Sequence, residues 1–175
     1  MASRPRDYQL LCEALDGLPG IGAQAAERLA EWLVYHGDVG QFSDILTRIK
    51  NSEHCRQCNR IQCQQDCQSG DDAAGFFVVA STEVLLEQLS NLIDHRGPLF
   101  VLHGELSPAN GTGPSQLCMD DLLASVEAFP DASLLVLSSD SVEGRTTAEY
   151  IFRRTGRVGE RVSVERACEI LRGHD

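Results

Sequence analysis

From Phe76 to Arg154 the hydrophobic period switches back and forth. Short apolar runs, GFFVVA, PLFVLHG and SLLVLSS, alternate with the amphipathic segments TEVLLEQLSNLI, MDDLLASVEAF and RTTAEYIFRR. The apolar runs are too short for buried helices, and their unbroken character marks strands covered on both faces. Parallel strands must be joined by long crossovers, and each amphipathic segment supplies one. The pattern predicts a small doubly wound α/β body, a parallel sheet with helices on both sides. In such a sheet, ligands and active groups collect where loops leave the carboxyl ends of strands.

The first 53 residues have a different rhythm. YQLLCEALDGL places Leu11, Leu15 and Leu18 on one helix face, and AQAAERLAEWLVYH carries the stripe Ala26, Leu29, Ala30 and Leu33. A third helix, QFSDILTRI, is expected to bury Phe42, Ile45, Leu46 and Ile49. Between the first two lies LPGIG at 18–22. Gly20, Ile21 and Gly22 allow a hairpin so tight that backbone N–H groups and the next helix N-terminus face outward together, which suits a phosphate oxygen. An ordinary turn between helices would use the same glycines for steric reasons, so both readings stand. Arg28 lies within reach of a second phosphate, whereas Gln24, nearer the turn, offers no charge. The composition sets off QSGDDAAG at 68–75 as a linker. The expected organisation is a helical head at 1–53, a cysteine module at 54–67, the linker, a body at 76–160 and a C-terminal helix at 161–175.

Four of the seven cysteines fall in HCRQCNRIQCQQDC, residues 54–67, spaced Cys55-x2-Cys58-x4-Cys63-x3-Cys67. Two close pairs on one short loop suit the tetrahedral thiolate set of structural zinc, with His54 and Asp66 as possible substitute ligands. Four protein ligands leave no open position, so such a site is structural rather than catalytic. A redox Cys-x-x-Cys belongs at a helix start after a strand, and this one follows a helix. A chain of 175 residues with 42% apolar content has no need of a disulfide scaffold. Cys12, Cys118 and Cys168 fall in helical patterns and are expected in the core.

The formal charge of −11 speaks against an unaided nucleic-acid binder. Residues 1–67 carry a net −2 and residues 68–175 a net −9, so any phosphate contact belongs to the first third. Of the 15 basic residues 14 are arginine, the side chain suited to bidentate phosphate contacts. The N-terminus shows no signal-peptide run and no stretch is apolar for the length of a membrane span, which leads us to expect a cytoplasmic protein. In the body, LLVLSS runs into DSVEGRTTAEYI, placing Asp140, Glu143 and Gly144 after a strand and before a helix. Carboxylates there could hold Mg²⁺ beside a phosphodiester, or simply favour the positive end of a helix. HGELSPANGTGP at 103–114 has the composition of a binding loop.

In this order the parts resemble the bacterial recombination mediator family RecR over roughly residues 8–155. The strings that carry it are LPGIG, HCRQC, VLHGELSPANGTGP and SVEGRTTAEYI. The third agrees with the family at Gly104, Leu106, Ser107, Pro108, Gly111, Gly113 and Pro114; the fourth agrees at Glu143, Gly144, Thr147, Ala148 and Tyr150, with Ser141 at a threonine position. The resemblance implies a helix-hairpin-helix head, a four-cysteine zinc module and a Toprim-type parallel α/β domain. It implies a DNA-repair accessory protein without catalytic turnover, binding gapped or single-strand/duplex DNA with RecO- or RecF-type partners to help RecA displace single-strand-binding protein. It turns Gly20, Ile21, Gly22, Gln24 and Arg28 toward DNA, and puts Cys55, Cys58, Cys63 and Cys67 on Zn²⁺. Asp140, Glu143 and Gly144 become an acidic remnant on a partner surface. The protein would be cytoplasmic, nucleoid-associated and self-associating, with no membrane contact.

The sequence departs from the family at informative places. Gln24 stands where the family carries a lysine, and Ala80 where a Toprim nuclease needs its glutamate. A glycine-rich GVPVGG segment before the last helix is absent, so a dimer is expected rather than a closed tetrameric ring. The alternatives are a degenerate RecR paralogue acting only through protein contacts, and a Mg²⁺-dependent nuclease using Asp140 and Glu143, which Ala80 disfavours.

Overall fold

The computed structural model of the protein describes residues 5–18, 20–61, 63, 67 and 75–173. The chain divides into two compact units, Met1–Ser52 and Glu53–Asp175.

The first unit is helical: α1 (Arg6–Asp16), α2 (Ala23–Tyr35) and α3 (Val39–Lys50). α1 packs on α2 over the small side chains of Ala26 and Ala30, which alone among the described residues of this unit are buried. The Asp38 carboxylate accepts the Gln41 N–H at 3.0 Å and so caps α3. The third helix forms as expected, but its apolar face is not buried. Phe42, Ile45, Leu46 and Ile49 are 38–55% exposed, and no residue of α3 is buried. The amphipathic period fixes where the stripe lies, while covering it takes an opposing surface that these helices do not provide.

The second unit holds a four-stranded parallel sheet in the order β2-β1-β3-β4. Its strands are β1 (Phe76–Ala80), β2 (Leu99–Val101), β3 (Ser133–Leu137) and β4 (Gly159–Val162). Side chains alternate along β1: Phe77 and Val79 face one layer, Val78 and Ala80 the other. The first layer is closed by α5 (Met119–Glu127) and α6 (Val142–Thr155), through Met119, Leu122, Val126, Ala148 and Ile151. The second is closed by α4 (Glu83–Leu92) and α7 (Val164–Arg172), through Leu86, Leu89, Val164, Ala167, Cys168 and Leu171. Thr82, Ser141 and Ser163 cap α4, α6 and α7, each accepting the N–H three residues on. Cys168 is buried as expected; Cys12 and Cys118 are half-buried.

The sequence reads three strand–helix units and sets the last helix apart at 161–175. The structure corrects this with a fourth unit, for β4 runs across residue 160 and α7 covers the second face of the sheet. β4 is an edge strand in which only Val162 is buried, so it offers no continuous apolar run to the eye. Its first residue must be glycine, since a Cβ at Gly159 would strike the Leu134 carbonyl and the Phe152 ring.

His95, between α4 and β2, has a buried Nε2 without a hydrogen-bond partner among the described residues. Burial lowers its pKa below the ordinary histidine value, although a bond to the Pro98 carbonyl opposes the shift. Because the fold resists protonation, this contribution to stability is complete above the unfolded pKa of ~6.5 and is lost as pH falls through the lower folded value. Urea titrations should give midpoints that drop below about pH 6.5, with a shallower drop in His95→Gln. An identical pH profile in the variant would remove His95 as the cause.

Candidate metal centre and strand-end surface

Residues 54–61 fold back on themselves through an antiparallel bridge between His54 and Ile61. The Cys55 N–H donates to the Arg60 carbonyl at 3.0 Å and the Asn59 N–H to the Cys55 carbonyl at 2.6 Å. This tight turn carries Cys55 and Cys58, while Cys63 and Cys67 approach from further along. The Sγ atoms of Cys58 and Cys63 are 3.4 Å apart and those of Cys55 and Cys67 3.7 Å. All four lie within 4.8 Å of one another. A tetrahedral zinc with Zn–S bonds of ~2.3 Å has sulfur–sulfur edges of ~3.8 Å, so the donor set fits a structural metal ion.

The thiols influence one another strongly. Burial holds Cys58 up at about 12, reinforced by Cys63 and Cys55. Burial and the three neighbouring thiols push Cys67 up as well. At Cys55, burial is outweighed by the backbone N–H groups of Cys58 and Gln57 and by the sulfurs of Cys58 and Cys67, which draw it down to about 7. A divalent cation among the sulfurs reverses this reluctance by holding all of them as thiolates. His54 is not among the clustered ligands; its Nδ1 lies 3.3 Å from the Asn59 carbonyl oxygen. Asp66 lies outside the described residues.

The turn is fastened to the body at the open edge of β2. The Val101 N–H donates to the Cys58 carbonyl at 2.9 Å, and the Asn59 side-chain amide donates to the Val101 carbonyl at 2.7 Å. The Ser125 hydroxyl donates to the Gln57 carbonyl at 2.7 Å, and Arg60 pairs with Glu83 at 3.1 Å. His103 Nε2 sits 2.6 Å from the Asn59 carbonyl oxygen.

At the carboxyl ends of the strands the decisive residue is Glu105, in the loop after β2. Its carboxylate accepts the Ser139 N–H and the Ser139 hydroxyl, both at 2.6 Å, and the Ser141 hydroxyl at 3.4 Å. Asp140 points instead to Arg161 at 3.0 Å and Arg145 at 3.7 Å. Glu143 is exposed on the first turn of α6. The described carboxylates Glu105, Asp140 and Glu143 thus do not converge, and the cysteines form the group suited to a metal. Gly144 serves packing, because a Cβ there would run into the Ser139 carbonyl. The 103–114 loop forms a 3-10 turn at Pro108–Asn110 and closes with a bridge between Ser107 and Thr112. Leu106, Pro108, Pro114 and Thr146 are among the residues that line a shallow apolar cavity of about 370 Å³.

In the first unit, Gly20 takes φ 78° and Gly22 is the N-cap of α2, with no side chain capping the helix. The left-handed backbone at Gly20 explains that glycine. Ile21 is half-buried; Gln24 and Arg28 are exposed. Gln24 and Arg28, with Tyr8, Glu27 and Glu31, line a shallow cavity of about 310 Å³, so two carboxylates flank its arginine.

The sequence is similar to those of known proteins. A protein named Recombination protein RecR from Thermus thermophilus is 31% identical over 163 residues, 91% of this chain and 83% of the relative. A namesake from Halorhodospira halophila is 31% identical over 147 residues, 81% of this chain and 73% of that protein. One from Natranaerobius thermophilus is 29% identical over 170 residues, 93% and 85% of the two chains. The chain belongs to the RecR family. No family model matches it. Membership makes recombination and DNA repair its field of action, and the fold combines the helical head, a parallel four-stranded sheet and a four-cysteine cluster suited to zinc.

Sequence reasoning quotes the string containing Glu105 yet gives the residue no role, and it passes over Asn59, His103 and Arg161. The usable signal for Glu105 in this RecR chain is that it is the one carboxylate in 103–114. Its three accepted bonds link two loops, and a charged acceptor strengthens each. Glu105→Ala should lower unfolding free energy by about 1–2 kcal/mol in urea, with neither Gln nor Asp regaining most of it. Full stability in the alanine variant would show that these bonds merely replace water.

Proposed function

We propose that this chain is a RecR-type mediator that binds single-strand/duplex junctions through its helical head and performs no chemistry. The observation that carries the reading is the Gly20–Gly22 hairpin opening directly into the uncapped N-terminus of α2, in a chain of this family. Free N–H groups at such a helix start attract phosphate without reading bases. Gly20, Ile21, Gly22, Gln24 and Arg28 are the proposed DNA contacts. Zinc on Cys55, Cys58, Cys63 and Cys67 is structural, one ion per chain. Asp140, Glu143 and the turn at Gly144 are the proposed docking surface for RecO- or RecF-type partners, through which RecA loading is assisted in the cytoplasm, close to the nucleoid. The division of labour follows the segments: head at 1–53, metal module at 54–67, linker at 68–75, and a body that continues through the last helix.

Absence of turnover is supported by Ala80, which ends β1 where acid–base chemistry would need a carboxylate, and by the separate partners of Glu105 and Asp140. A second reading, a paralogue acting only through protein contacts, draws on Gln24 and on the acidic residues flanking Arg28. Fluorescence anisotropy of a labelled gapped duplex at ~50 and ~200 mM salt separates the two. The mediator should bind at the lower salt, weaken as salt rises, cleave nothing with Mg²⁺, and bind more tightly as Gln24→Lys with a salt slope steeper by about one. No binding at ~50 mM salt, even with the lysine, would leave only the protein-contact reading.

We further propose a dimer made through the head. The apolar side chains Val39, Phe42, Ile45, Leu46 and Ile49 share α3 and stand open, and a second copy offers the same stripe in return. Light scattering should give the mass of two chains, reduced to one by Phe42→Glu with Ile45→Glu. A mass of one or four chains for the unaltered protein would overturn it.

A further inference from the structure

We propose that Asn59 and His103 are positioning residues of the metal site, a clasp that couples metal occupancy to the 103–114 loop. This rests on the zinc reading of the four cysteines.

Asn59 follows Cys58 directly, and both are buried, at 4% and 0% exposure. Asn59 is held through backbone and side chain alike. Its N–H goes to the Cys55 carbonyl and its side-chain amide to the Val101 carbonyl. Its own carbonyl has two imidazole nitrogens beside it, His103 Nε2 at 2.6 Å and His54 Nδ1 at 3.3 Å. A carbonyl only accepts, so in each of these bonds the ring nitrogen is the donor. Asn59 and His103 also share an unusual backbone, each with φ 58°. Left-handed conformations are uncommon outside glycine, and asparagine and histidine are among the residues that take them most readily. Here the two left-handed residues hold each other.

His103 lies two residues beyond Val101, the end of β2, and opens the loop that reaches the other side of the strand ends. The Gly104 N–H donates to the Ser81 carbonyl at 2.7 Å and the Leu106 N–H to the Thr147 hydroxyl at 2.8 Å. Glu105 between them holds Ser139. Displacing the Asn59 carbonyl therefore pulls on the opening residues of a loop that Glu105 fastens to the β3–α6 turn. The cysteine turn buries little apolar surface of its own, so its order depends on metal and on these bonds together. Outer partners that orient metal ligands are commonly worth about ten- to a hundredfold in affinity.

The test compares His103→Leu, which removes the donor, with His103→Gln, which keeps an N–H at similar reach under the same backbone constraint. Zinc affinity is read by chelator competition on the full chain. Amide exchange at Gly104, Leu106, Ser107 and Thr112 is read with and without zinc. The clasp requires at least a ~10-fold affinity loss in His103→Leu, substantial recovery in His103→Gln, and faster loop exchange on stripping zinc from the unaltered chain. Normal zinc affinity in His103→Leu, or loop exchange indifferent to zinc, would overturn the clasp while leaving the zinc site standing. An unaltered chain that takes up no zinc would remove both.

Discussion

Burial of both faces of the parallel sheet leaves the body only strand ends and sheet edges for polar chemistry. Phe77 and Val79 are sealed under α5 and α6, Val78 and Ala80 under α4 and α7. Each large apolar side chain among them contributes about 1.5–3 kcal/mol by leaving water, so the faces have no room for function. The ends hold the polar groups instead: Ser81 after β1, Glu105 after β2, Ser139 to Ser141 after β3, and Ser163 after β4. The two edges are managed differently. β4 is polar and short, while the β2 edge is taken by Cys58 and Asn59 acting as one further rung.

What could be read from sequence follows from the same constraint. Strands buried on both sides write continuous apolar runs, so β1, β2 and β3 were legible and β4, with Glu160 and Arg161 in its middle, was not. Cysteine spacing identified the candidate metal ligands because short loops limit where four sulfurs can go. It was silent about Asn59 and His103, whose importance lies in contacts 42 and 44 residues apart along the chain. The carboxylates after β3 were visible as residue types, but their partners were not. Arg161 comes from the unseen strand, and Glu105 crosses from another loop. Periodicity placed the stripe on α3 correctly and misjudged its burial, since a period says which residues share a face and nothing about what lies opposite.

The helical unit poses a different energetic problem. With Ala26 and Ala30 as its buried side chains among the described residues, it removes little apolar surface from water. Units of this size are marginal even with a good core. Apolar side chains of α2 and α3 stand open, and any surface that covered them would add to the stability of the unit. The hairpin at Gly20 is less exposed to that problem. It is set by local hydrogen bonds, from Ile21 to Leu18 and from Ala25 and Ala26 to Gly22, and by one left-handed glycine.

Fastening the cysteine turn to a sheet edge would make any metal binding there and edge protection one equilibrium. The Val101 N–H and C=O would otherwise face outward as unpaired edge groups. Ordering residues 58 and 59 satisfies both groups, and a metal ion on the four sulfurs would favour that ordering. By linkage, whatever free energy the edge contributes to holding the ion, the ion returns to the edge. If a metal ion holds the turn in place, losing it would leave the Val101 N–H and C=O open at the β2 edge, and the loop from His103 to Pro114 would lose one of its anchors. The cysteine cluster is small, but it sits where the sheet has an open side, and a metal ion bound there would influence residues it never touches.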